Sequence, residues 1–384
     1  MRILFIVLFA VLMSACSSLK FWGNDEVDEL APAKLEKFDE TIRVEKLWSK
    51  GVSKRDKLIS SLHPALSDGV VYAAGDNGVV IAVDASSGKT IWQKKLKRNL
   101  SGGVGVGGDL VLVADIQGRV FALDRSTGEQ RWRSGVSREV LSAPASNGRY
   151  VAVQTMDGFV VGLDASNGNE LWRYQTDIPS LTLRASTSPV MSGNTVVAGF
   201  ASGKAMALNA ANGALLWENR VALPKGRSEL ERMVDIAGSP VMEGDVVYVT
   251  SYQGRTAAIS RGTGRAIWYQ DMSSFQQPAF GQDQVYVSLA NDEVRALRSN
   301  SGQEVWTNSQ LKYRQLSPPG YAAGYVAVGD ADGYLHVLSA SDGTFAGRRK
   351  VDGSGVSAPI LSDGQRVYVT DNDGGITAYA FERR

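Results

Sequence analysis

The chain has 384 residues, with 41 Lys and Arg against 40 Asp and Glu and a formal net charge of +1. That balance gives no electrostatic case for binding nucleic acid or anionic lipid. A single cysteine excludes a disulfide within the chain, and the only histidines, His63 and His336, fall in different repeats, which argues against a metal site built on them.

Residues 1–15 read as a signal peptide. Arg2 is the charged start, Ile3 to Met13 an apolar run too short to span a membrane, and Ser14-Ala15 the small residues of a cleavage point. Leu12-Met13-Ser14-Ala15-Cys16 resembles a bacterial lipobox, with Met13 where leucine is more usual. Cys16 is therefore the expected lipidation site, which leaves no thiol for metal or nucleophilic chemistry. A buried cysteine in an uncleaved segment is the competing reading. Two or more acyl chains anchor stably where one does not, and the resemblance to bacterial lipoproteins implies three. Ser17, rather than aspartate, follows the cysteine. By the same resemblance this implies the outer membrane, with the protein facing the periplasm. Residues 16–42 are expected to be a lipidated N-terminus and a polar, acidic tether, with a short helix over Val27 to Phe38 as an alternative. Removing residues 1–15 takes away only Arg2 among the charges, so the mature net charge is zero.

From residue 43 onward one pattern recurs at a period of roughly 40 residues, the mark of a repeat architecture. Asp84-Gly88-Trp92, Asp124-Gly128-Trp132 and Asp164-Gly168-Trp172 are the clearest copies. Asn209-Gly213-Trp217, Ser260-Gly264-Trp268 and Arg298-Gly302-Trp306 loosen the first position, and Ser339-Gly343 has Gly347 where the tryptophan would be. Between the tryptophans the pattern is all β. Around one copy, Arg149 to Val153, Phe159 to Leu163 and Glu170 to Tyr174 read as strands, and Asp157-Gly158 as a hairpin turn. An inner strand precedes them near Ser142 to Ala145. Four antiparallel strands per repeat make a propeller blade.

The hairpin recurs eight times, at Asp76-Asn77-Gly78, Gln117-Gly118, Asp157-Gly158, Ser202-Gly203, Gln253-Gly254, Asn291-Asp292, Asp332-Gly333 and Asp373-Gly374. The last strand, Ile376 to Phe381, has no outer strand after it, and the segment around Trp48 has no turn before it. The expectation is an all-β, eight-bladed β-propeller over residues 43–384, closed by the N-terminal strand, which removes an open edge. The tryptophans are expected to pack between blades. An aromatic cage would need them to converge, and equivalent outer strands of a ring cannot.

Two connections are long. The distance from an outer-strand tryptophan to the proline of the next inner strand is 12 residues for Trp132 to Pro144, 17 for Trp172 to Pro189 and 23 for Trp217 to Pro240. The long ones lie on neighbouring blades and one face, and long loops in compact folds often carry function. Leu181, Leu183 and Arg184 centre the first; the second is expected to be partly helical at Ser228 to Met233. Tolerated insertion is the alternative.

Other chemistry finds little support. Gly103 to Gly108 matches a dinucleotide fingerprint but precedes a strand, not a helix. Asp330 to Gly333 and Asp371 to Gly374 lack the glutamate that completes a calcium loop. Ala122, Asp124, Thr127, Gly128 and Trp132 fit the blade repeat of pyrroloquinoline-quinone enzymes, but those resemble this chain only in the repeat: they are larger and carry paired cysteines and a calcium-binding acid cluster. No catalytic residue, metal or cofactor is expected.

Lipobox, tether, eight quinoprotein-like blades, length and the loop Ser180-Leu181-Thr182-Leu183-Arg184 together resemble the propeller lipoproteins of the machinery that inserts β-barrel proteins into the bacterial outer membrane. The resemblance implies a non-catalytic scaffold in which Leu181, Leu183 and Arg184 contact the periplasmic domains of the central barrel subunit. It also implies an Asp-x-Asp pair in the next loop. Asp235 matches the first acid, and Ala237 stands in place of the second. Unfolded barrel precursors are a further implied partner, and the lipid anchor ties the chain to the outer membrane. An adaptor of another envelope complex is the main alternative, and a quinone-dependent dehydrogenase the third.

Overall fold

The computed structural model describes residues 30–52, 61–136, 138–184 and 187–384. The expected signal peptide, Cys16 and most of the expected tether lie outside them. Residues 33–384 form one compact unit.

Eight antiparallel sheets follow one another along the chain. Blade 3 is typical: Ala145–Ser146 is innermost, then Tyr150–Gln154, Phe159–Asp164 and outermost Glu170–Gln175. The two middle strands are continuous apolar runs because neighbouring blades cover both of their faces. The outer strand alternates, and within Glu170–Gln175 only Trp172 is buried. The hairpin turns need left-handed backbone, supplied by glycine in six blades and by Gln253 and Asp292 in blades 5 and 6. Blade 2 gains a fifth, parallel strand, Ser61–Leu62, on its innermost strand Leu100–Gly107.

The ring closes as the repeat count predicts. Ile42–Gly51 pairs antiparallel with Gly375–Arg383, with Trp48 opposite Ala378, so the first strand of the described chain is the outer strand of blade 8. Each pair of adjacent blades shares a separate apolar core. Blades 2 and 3, for example, bury Leu112, Val120, Trp132, Val153 and Leu163 together.

The tryptophans make the inter-blade joint. Trp132 donates its indole N–H to Ala165 O of blade 3 at 2.8 Å, and Trp172 to Ala210 O of blade 4 at 2.8 Å. Each ring also lies on the turn glycine of the following blade: a Cβ on Gly168 would come within 2.5 Å of the Trp132 ring. Trp48 makes the same joint to blade 1 through Ala85 O and Gly88.

The alternative helix over Val27 to Phe38 does not form across its described part, residues 30–38. The propeller takes the main-chain groups instead: the Ala33 amide donates to Lys312 O at 2.9 Å, and Arg348 donates to Glu36 O at 2.9 Å.

Candidate functional site

The loop from blade 3 to blade 4 and the loop from blade 4 to blade 5 lie against each other. Thr187 donates its hydroxyl to Ile236 O at 2.6 Å, and the Ser188 amide donates to Ser239 Oγ at 3.0 Å. Leu181 and Leu183 are each 37% exposed, large for leucine in a loop that is otherwise tied down. Arg184 is exposed and makes one ion pair, to Glu139 at 3.2 Å. Its backbone is left-handed, with φ of 50°. For a residue with a Cβ that conformation costs about 1–3 kcal/mol and persists only where neighbours impose it.

The Arg184 amide donates to Thr182 Oγ1 at 3.1 Å, and Asp235 holds the residue before it. Asp235, which the family resemblance implies as part of the contact, is 1% exposed. Its Oδ2 accepts the Leu183 amide at 2.5 Å, so the carboxylate holds the Leu-Thr-Leu-Arg turn from below. The physical reason is its setting. Val234 and Ile236 on either side are buried, Ile236 between blades 4 and 5, and they draw Asp235 inward with them. Burial pushes the Asp235 carboxyl above its ordinary value, and the Leu183 amide only partly opposes this. Oδ1 has no partner among the described residues, and neither does Gln154 Oε1. Both line a small cavity with Arg184, Phe200 and Ile236. Gln154 is fixed by donating its amide to Gly199 O at 2.6 Å. The cavity floor is therefore two acceptors, and what it can do is receive a hydrogen-bond donor.

The helix expected over Ser228 to Met233 does not form, and the segment is a hydrogen-bonded turn. The Arg232 amide reaches Ser228 O at 3.2 Å, and Ser228 and Glu231 cap one another reciprocally. Beyond it the chain dives between blades, which leaves no room to extend the turn into a helix. The turn pushes Leu230 outward to 64% exposure, and Leu223 is also exposed. Neither was singled out in the sequence, although the Ser228-x-x-Glu231 capping pattern around a lone leucine was the available signal. Among the described residues no group of three His, Cys, Asp or Glu is placed to hold a metal ion.

Fold and site together define an eight-bladed propeller of quinoprotein-type repeats whose elaborated loops share one face over blades 3 to 5. The chain belongs to the BamB family of outer membrane protein assembly factors. A family model described as "Outer membrane protein assembly factor BamB" matches residues 44–99, 76–308 and 290–383. The BamB of Pseudomonas aeruginosa is 48% identical over 371 residues, covering 96% of this chain and 98% of that one. The Escherichia coli K12 protein of the same name is 33% identical over 389 residues, covering 98% and 97%. The crystal structure of BamB from Moraxella catarrhalis superposes with a TM-score of 0.79 at 30% identity, covering 88% of this chain and all of that one. A quinohemoprotein alcohol dehydrogenase from Pseudomonas putida HK5 reaches a TM-score of 0.67 at 15% identity, covering 88% of this chain and 76% of that one, and shares the fold alone.

Proposed function

We propose that this chain is a non-catalytic scaffold lipoprotein of the outer-membrane β-barrel assembly complex. It is anchored through Cys16 in the outer membrane, faces the periplasm, binds the periplasmic domains of the central barrel subunit and so assists insertion of β-barrel proteins. Leu181, Leu183 and Arg184 form the contact, and Asp235 sets it. The observation that carries the reading is the Leu183–Asp235 hydrogen bond in a chain of this family: a buried acid accepts the Leu183 amide in a turn where Leu181 and Leu183 are exposed and Arg184 has left-handed backbone. Preorganised apolar anchors beside an arginine are what a protein contact selects.

The test is co-purification from detergent-solubilised outer membranes with mass spectrometry. The parent is expected to bring down the central barrel subunit, and Leu183→Ala and Arg184→Ala to lose it. Loss of an anchor side chain costs about 2 kcal/mol or more, roughly a thirtyfold drop in affinity. A parent that recovers a different envelope complex would overturn the reading in favour of the adaptor.

A further inference from the structure

Blade 7 contains a buried ionic cluster that the loop site does not use. His336 and Asp330 are fully buried and Arg314 nearly so. Asp330 Oδ2 accepts from His336 Nε2 at 2.9 Å and from Arg314 Nε at 2.8 Å, and Oδ1 accepts the Tyr334 amide at 2.8 Å. Arg348 donates its Nε–H to His336 Nδ1 at 3.1 Å. A guanidinium has donors only, so Nδ1 must carry a lone pair and the ring must be neutral, with its proton on Nε2 facing Asp330.

The same two arginines hold the segment before the first strand. Arg314 donates to Ala33 O at 2.9 Å and Arg348 to Glu36 O at 2.9 Å. Phe38 stacks on Phe345 at 5.1 Å between ring centroids, with the Arg348 guanidinium 4.9 Å from the Phe38 ring. Glu40 accepts the Arg348 amide at 3.3 Å and also pairs with Arg384. Residues 33–41 are thus a strap across blade 7, pinned at its ends by the Ala33 and Thr41 amides and in its middle by Arg348, which rests on the His336 imidazole.

We propose that this strap is latched by neutral His336 and released by acid. A proton on Nδ1 sets N–H against the N–H of Arg348 and ends that hydrogen bond. It also adds a third cation beside Arg314 and Arg348, with Asp330 the one buried carboxylate among them. The remaining groups around the ring do not compensate. Tyr334 and Phe345 are uncharged, Asp332 is exposed and already paired with Arg314, and Lys350 donates to Asp332 O. Arg348 then leaves the ring and takes Glu36 O and Phe38 with it.

The sign agrees with the geometry. Burial, the largest cause, lowers the His336 value; Asp330 opposes, and Arg348 and Arg314 add to the lowering. Burial raises the Asp330 carboxyl, but His336, the Tyr334 amide and Arg314 outweigh it and keep it low, so the acid stays ionised as the histidine titrates. A histidine depressed in the fold contributes its full stabilisation above its unfolded value near pH 6.5, and that contribution is lost as pH falls below it. The strap begins at Ala33, beside the blade 6 to blade 7 connection, where the Ala33 amide donates to Lys312 O.

Hydrogen exchange on the full chain in detergent tests this at about pH 7.5 and about pH 5.5, corrected for intrinsic rates. Peptides over residues 33–41 are expected to lose protection on the order of tenfold at the lower pH, while those over Tyr150–Gln154 keep theirs. His336→Gln is neutral, accepts from Arg348 and donates to Asp330; it should keep the strap protected at both values. Arg348→Lys, which removes the Nε donor, should open it at both. Equal protection of the parent at the two values overturns the proposal, as does an unchanged pH dependence in His336→Gln. Should His336→Gln not fold, long-range proton–nitrogen NMR of the histidine-labelled parent decides: a protonated Nδ1 on His336 at neutral pH also overturns it.

Discussion

Ile42 fills the space that a side chain at Gly347 would need. A Cβ on Gly347 would lie 2.9 Å from Ile42 Cγ1 and 3.1 Å from Val44 Cγ2. Gly347 stands where the seven other blades have their tryptophan. At seven joints a ring from one blade lies on a glycine of the next; at the joint between blades 7 and 8 the order is reversed, and the glycine makes room for the incoming N-terminal strand. The departure from the repeat is thus what allows the ring to close with a strand from the other end of the chain.

Closure by that strand predicts unequal truncations. Removing residues 17–32 should leave the melting temperature unchanged. Removing residues 17–51 deletes Ile42 and Val44 from the shared core of blades 7 and 8 and the whole pairing with Gly375–Arg383. Loss of a single buried aliphatic side chain already costs about 2–5 kcal/mol. Matching melting curves for the two truncations would count against closure.

The joint between blades 2 and 3 predicts coupling between Trp132 and Gly168. Trp132→Ala should cost about 3–5 kcal/mol. Gly168→Ala adds a Cβ 2.5 Å from the ring in a backbone with φ of 77°. With the indole already gone the clash disappears and only the backbone penalty remains, about 1 kcal/mol. The double mutant should therefore be less destabilised than the sum, with a coupling of roughly 0.5–3 kcal/mol by urea denaturation. Simple additivity would show that the ring and the glycine do not share a joint.

Repeat number, strand order and closure were readable because period and alternation are local properties. What crosses between repeats was not. Nothing in a turn glycine tells that its partner is the tryptophan of the preceding blade. The Gly103 to Gly108 run looked like a failed nucleotide motif; most of it lies in the inner strand of blade 2, Leu100–Gly107, brought against blade 3, where a Cβ on Gly105 would meet Pro144 O at 1.8 Å. The exposed leucines of the first loop were legible from their apolar character in a polar stretch. The burial of Asp235 was not, because loop length says nothing of depth. Arg314, Asp330, His336 and Arg348 come from separate segments, and no spacing rule joins them.

Cys16 predicts a separate outcome. Cys16→Ser should give a folded propeller that no longer sediments with outer membranes in cells lacking the assembly complex, while the parent still does. Membrane retention of the serine variant under those conditions would remove the lipid anchor from the account.

Asp235 offers the sharpest test of how the loop site is built. Asp235→Asn can still accept the Leu183 amide through its carbonyl, whereas Asp235→Ala cannot. A carboxyl raised by burial is favoured in its neutral form in the fold, so its contribution to stability is full below the unfolded value near 4 and is lost as pH rises through the raised value. Removing the charge should therefore stabilise the protein at neutral pH, and the gain should shrink as the pH is lowered through the carboxylate range. Asp235→Ala frees the Leu183 amide and releases Arg184 from its left-handed backbone, so its binding loss should resemble that of Leu183→Ala. Thermal melts at neutral and acid pH, set beside co-purification with the central barrel subunit, check both halves, with Lys204→Ala, which removes an ion pair to Glu218 between two strands of blade 4, as the control. If Asp235→Asn preserves binding, the acid acts by holding the loop. If it loses binding while keeping the melting temperature, the second oxygen facing the cavity is itself a contact. An Asp235→Ala protein that binds as the parent does would remove Asp235 from the site.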